Sequence, residues 1–193
     1  MSINNISKTI GTTLLLMSLL GSNVFANTTD YGAIGASKNE SYSLEEMLEY
    51  AIEDEYLAYA EYELIINELN ASRPFTNIIK AEQAHIEIVE TLYKAYNIPL
   101  PDINPSIYIT LPDSINDALD EGIKAEIANI AMYESFLKED LPNDIRLAFE
   151  TLKRASESHL AAFEGNNGQQ SKSVHGSEKR TTKNSNNLRK RGK

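Results

Sequence analysis

Between residues 43 and 164 apolar side chains return every three to four positions in four separate runs, each long enough for a helix of several turns. The first carries Leu44, Leu48, Ala51, Ala58, Tyr62, Ile65 and Leu69, and Ser43 with Glu46 predicts a capping box at its start. The second follows Pro74, a residue suited to a first helical turn, and carries Ile78, Val89, Leu92 and Tyr96. The third opens at Ser114 with Ile115, Leu119, Gly122, Ile130, Tyr133 and Leu137; the fourth follows Pro142 with Ile145, Phe149, Leu152 and Phe163. No alternating strand pattern, Gly-rich loop or internal repeat competes, and every proline falls in a connection or at a chain turn. The pattern predicts an all-α protein whose helices pack as a bundle.

Each apolar stripe is broken near its middle. Glu55 interrupts the first, Glu82 and His85 the second, Glu126 the third, Ser156 and His159 the fourth. The region 27–164 holds only these two histidines, and both lie on the inward faces. Buried unpaired carboxylates are costly, and three converging without a cation repel one another. Metal ions supply the missing charge, through oxygen and imidazole donors that suit iron, manganese or zinc. A metal-free hydrogen-bonded network, with both imidazoles cationic against the three glutamates, stands as the alternative. Tyr59, Tyr62, Tyr93 and Tyr133 share the helical spacing and read as core residues with hydroxyls near the rim, beside a second reading as electron carriers or ligand orienters.

The connections set the topology. Runs one and two, and runs three and four, are separated by about 4 to 5 residues, which suits antiparallel hairpins. Residues 97–113, rich in proline, form a longer link that suits a crossover along an antiparallel four-helix bundle, between helices 2 and 3.

Composition changes the picture only at the ends. Residues 1–26 combine Lys8, an apolar run from Ile10 to Leu20 and Val24-Phe25-Ala26, the form of a signal peptide cleaved after Ala26, which predicts a periplasmic or secreted protein. The run is about half the roughly 20 residues a membrane span needs, so no transmembrane anchor is expected after cleavage. With no cysteine in the chain, stability outside the cell has to come from packing or a metal. Residues 27–42 read as an N-terminal linker. From 165 to 193 eight basic residues face one acid, Glu178, and almost nothing is apolar, so a disordered basic tail is expected. It leaves 27–164 strongly acidic. Such a tail either touches anionic surfaces or stays solvated, and nothing points to specific nucleic-acid binding. Assembly into a homo-oligomer stays open.

Four segments carry a family resemblance: Glu53-Asp54-Glu55-Tyr56-Leu57-Ala58; Phe75-Thr76-Asn77-Ile78 with Glu82-Gln83-Ala84-His85; Ala118-Leu119 through Gly122 to Glu126; and Ser156-Glu157-Ser158-His159-Leu160-Ala161-Ala162-Phe163. Together they resemble the ferritin-like superfamily, and within it the uncharacterised bacterial and archaeal domain of unknown function 2202. The chain departs from that group at Ile127, where a second acid is usual, and at Asn129, where an aspartate is usual. The resemblance implies a dinuclear centre: Glu55 and His85 as terminal ligands of one metal, Glu126 and His159 of the other, and Glu82 bridging. A second bridge would come from position 156, where Ser156 is too short and Glu157 sits about 100° round the helix. One good site and one weaker or open one are therefore expected.

Three functions follow. The chain is a di-iron-type oxidoreductase oxidising iron or reacting with dioxygen or peroxide, a non-catalytic metal-binding module, or a structural bundle of the cell envelope.

Overall fold

A computed structural model of the chain describes residues 30–189, and from 167 onward it describes the backbone alone. The segment expected to be a signal peptide lies outside the described residues. Those described are all-helical: α1 (Gly32–Ala36), α2 (Leu44–Leu69), α3 (Phe75–Ala95), a 3-10 turn (Pro105–Ile107), α4 (Ile115–Phe136) and α5 (Asn143–Arg189). None of these helices is long and apolar enough to cross a membrane.

The starts expected from the sequence are built as such. Ser43 accepts from the Glu46 N–H while the Glu46 carboxylate accepts from the Ser43 N–H, and Ser114 accepts from the Asp117 N–H. Asn70, with φ of 51°, ends α2 in the left-handed conformation that asparagine tolerates. The backbones of α2 and α3, and of α4 and α5, pack along their lengths. Lighter packing of α2 on α4 and α3 on α5 closes a square, and the backbones of α2 and α5, and of α3 and α4, stay apart on its diagonals. Tyr133 of α4 reaches Glu55 of α2, whereas Tyr62 of α2 reaches Glu126 of α4, so these two helices run antiparallel. It follows that α3 and α4 run parallel, and residues 96–114 must travel back along the molecule. On the way the 3-10 turn packs against α2.

Two apolar clusters fill the interior. One gathers Leu48, Ile52, Val89, Phe136, Phe149 and Leu152; the other gathers Tyr62, Phe75, Ile78, Leu119 and Phe163. Gly122 lets the second close, because a Cβ there would stand 3.0 Å from the Phe163 ring. Each fully buried side chain of this size contributes about 1.5–3 kcal/mol. The apolar halves therefore hold the frame, and the polar residues lie in the layer between them.

Two segments differ from expectation. Inside the stretch expected as a linker, α1 docks on α2 and α4: Gly32 and Ala33 donate backbone N–H bonds of 3.0 and 2.8 Å to Glu53 and Asp54. Gly32 has φ of +53°, and a Cβ there would meet the Asp54 carboxylate. A five-residue Gly/Ala turn has no amphipathic period to announce it. At the other end, the helical backbone of α5 continues through the segment expected to be disordered, to Arg189. No proline follows Pro142, so the sequence contains no steric stop there.

Candidate metal centre

In α3, Glu82 and His85 are one turn apart on the face that Ile78 and Val89 also bury, so packing turns both inward. The same logic aims Glu55 from α2, Glu126 from α4, and Ser156 with His159 from α5. All five residues expected as ligands meet in one layer, each no more than 8% exposed. His85 Nδ1 lies 2.9 Å from Glu82 Oε2 and 3.2 Å from Glu55 Oε2. His159 Nδ1 lies 3.1 Å from Glu82 Oε1 and 3.4 Å from Glu126 Oε1. The two oxygens of Glu82 thus face the two imidazoles, whose rings stack with centroids 5.6 Å apart.

The layer has an approximate twofold pattern. Tyr62 stands seven residues after Glu55, and Tyr133 seven after Glu126. Each donates to the other helix's glutamate, Tyr133 to Glu55 at 2.7 Å and Tyr62 to Glu126 at 3.0 Å. Both hydroxyls therefore sit in the middle of the protein and orient carboxylates, where the sequence suggested the rim. Tyr59 and Tyr93 pack with the apolar side chains of the core. The pattern breaks at one place: opposite Glu82 stands Ser156. Its hydroxyl donates to Asn129 Oδ1 at 2.6 Å, and the Asn129 amide donates to Asp54 at 2.5 Å. A cavity of about 20 Å³, room for one water, opens there against Glu55, Glu82, Glu126 and Ser156. Glu157 points to solvent and pairs with Lys153, as its place on the helix requires.

Burial drives the charges. It pushes Glu55 up to about 8 and raises Glu126. Burial also acts on Glu82, but the imidazoles of His159 and His85 outweigh it and bring that carboxyl down to about 2. For His85 and His159 burial opposes protonation, yet the facing carboxylates raise them to about 10 and about 9. The metal-free layer is therefore an ionised Glu82 held between two imidazolium rings.

That network is incomplete. Despite its short distances, the buried Nδ1 of His159 has no aligned hydrogen-bond partner. A buried ring nitrogen 3.1 and 3.4 Å from two carboxylates, without a well-aligned hydrogen bond to either, is a candidate ligand position. Two triads have donor atoms within 4.8 Å of one another, Glu55/Glu82/His85 and Glu82/Glu126/His159, sharing Glu82. The layer can hold a metal ion, and the donors are those of iron, manganese or zinc.

Asn129 and Asp54 were not assigned a role from sequence. Asn129, three residues after Glu126, was visible only as a departure from the family pattern. Asp54 adjoins Glu55 but lies about 100° round the helix, off the inward stripe.

No family model matches the chain. Among curated proteins, Uncharacterized protein MJ0754 of Methanocaldococcus jannaschii is 32% identical over 126 residues, spanning 58% of this chain and 68% of that one. The crystal structure of the hypothetical protein MJ0754 from Methanococcus jannaschii DSM 2661 aligns with a TM-score of 0.60 at 29% identity, over 69% of this chain and 85% of that chain.

Proposed function

Because the chain belongs to the family of the uncharacterized protein MJ0754, we propose its function from the buried layer itself: an exported, ferritin-like four-helix protein that binds metal in a carboxylate and histidine site of the di-iron type. The observation that carries the proposal is the sharing of Glu82 by two triads of buried donors, with an orphaned His159 Nδ1 in one of them. Glu55 and His85 would hold one ion, Glu126 and His159 the other, and Glu82 both. Iron is the first assignment, with manganese and zinc as alternatives for the same donors. An iron pair supplies one-electron chemistry toward dioxygen, peroxide or further ferrous ions. The chain's own part is to fix the ligands: Tyr133 and Tyr62 orient Glu55 and Glu126, and the apolar halves keep bulk water out. Export through cleavage after Ala26 belongs to the same proposal.

A second reading, metal binding without turnover, is favoured by one observation. Ser156 cannot bridge, and its hydroxyl is committed to Asn129.

Elemental analysis of the full chain purified without chelator, followed by anaerobic titration with ferrous iron, tests the proposal. About two ions per chain are expected for the dinuclear site. One ion would select the binding module, and none, with the helical spectrum intact, would leave a protein-only network and end the metal reading.

Ser156→Glu gives α5 the Glu-x-x-His of α3 and completes the twofold pattern. We expect it to tighten binding of the second ion by about tenfold, while destabilising the metal-free protein by on the order of 2 kcal/mol through a fourth buried carboxylate. Titration and thermal melts check both; an unchanged affinity would show that position 156 takes no part.

A further inference from the structure

We propose that the seam between α2 and α4 is the entrance through which a divalent cation reaches the buried carboxylates, with Glu121 and Glu61 as its outer stations. This rests on the metal-binding reading above and adds the route.

The antiparallel register sets Asp54, Ala58 and Glu61 of α2 against Asn129, Ala125 and Glu121 of α4. Exposure falls inward along this seam: Glu121 is exposed, Glu61, Ala58, Ala125 and Asp54 are half-buried, and Asn129 is buried. Ala58 and Ala125 line the cavity that touches Glu55, Glu82 and Glu126. Ala58 and Ala125 are the smallest side chains of that lining, beside the Asp54–Asn129 pair, and the α2–α4 contact is lighter than those within the hairpins. The carboxylates along it are crowded. Burial, with Asp54 and Glu121 nearby, pushes Glu61 up to about 7. A row of acids of this kind lowers the energy of a passing cation.

Other approaches are less suitable. The groove at Tyr59, Ile79, Lys80 and Gln83 presents a lysine and none of the candidate ligands. On the α3 and α5 side stand the two stacked imidazoles, not a row of acids.

The test is stopped-flow loading of the full chain with cobalt(II), whose absorption reports ligation, together with release into chelator. Ala58→Leu and, independently, Ala125→Leu should slow entry and release by about tenfold or more, the effect of a modest added barrier. Entry and release should slow together, because a barrier on the path acts in both directions. Glu61→Gln with Glu121→Gln keeps the packing and should lower the on-rate by about tenfold at low salt, with the difference shrinking at high salt. Ala84→Leu, on the exposed face of α3, should leave the rates unchanged. Cobalt binding with unaltered rates in the leucine and glutamine variants would overturn the route alone, as would weaker affinity at an unchanged on-rate. No cobalt binding by the unsubstituted chain would overturn the metal reading and the route with it.

Discussion

Glu82→Ala is expected to abolish metal binding at both halves of the site, where loss of any other single ligand leaves one triad intact. Glu82 alone belongs to both triads, and its two oxygens face different histidines. The unsubstituted protein at a metal concentration a thousand times Kd gains about 4 kcal/mol of stability, and the variant should gain none. The metal-free variant should also suffer. Glu82 is the anion between His85 and His159, and removing it leaves two buried imidazoles facing each other across 5.6 Å. Breaking a buried pair from one side costs about 3–5 kcal/mol. Adding His85→Ala removes a cation as well, so the double variant should be milder than the sum of the two single changes. Elemental analysis and urea denaturation of the three variants decide the matter. Two ions retained by Glu82→Ala would remove the shared bridge, and a double variant that unfolds outright would show the layer to be structural.

The parts of this site that one helix can announce were legible in the sequence, and those that need two helices were not. Glu55, Glu82, His85, Glu126 and His159 lie on stripes that otherwise bury leucine, isoleucine and phenylalanine, so periodicity turned them inward and their chemistry made them conspicuous. The helix starts at Ser43 and Ser114 were legible for the same local reason. The direction of a tyrosine hydroxyl depends on what the neighbouring helix offers. Tyr62 and Tyr133 therefore read as core until α2 and α4 were brought together antiparallel. Asn129 and Asp54 sit on the shoulders of their stripes, and only the α2–α4 seam joins them. The N-terminal turn escaped because Gly32, Ala33, Gly35 and Ala36 are too small to write a pattern, and its anchors on Glu53 and Asp54 are backbone N–H groups that every residue but proline carries.

The stability of the metal-free protein and the stability that metal adds to it should respond to pH in opposite directions. His85 and His159 are raised in the folded protein from 6.5 to about 10 and about 9, and Glu55 from 4.5 to about 8. A group whose folded value is raised contributes stability that is full below its unfolded value and is lost as pH climbs through the folded one. For the histidines that loss begins near 6.5, and for Glu55 near 4.5. Glu82, brought down to about 2, has the reverse sign, but its contribution is complete above 4.5 and does not change in this window. The metal-free protein should accordingly lose stability steadily from pH 6.5 to 9, by several kcal/mol. Metal binding requires neutral imidazole and ionised carboxylate, so the same rise in pH removes the protons that compete with the ion. The stability gained on adding cobalt(II) should therefore grow across the range in which the metal-free protein weakens. Denaturation curves at pH 6.5, 7.5 and 8.5, with and without the metal, measure both trends. A metal-free protein that is flat or strengthens with pH would mean that the imidazoles are not held cationic by Glu82 between them, and a metal increment that shrinks would place the ion on other ligands.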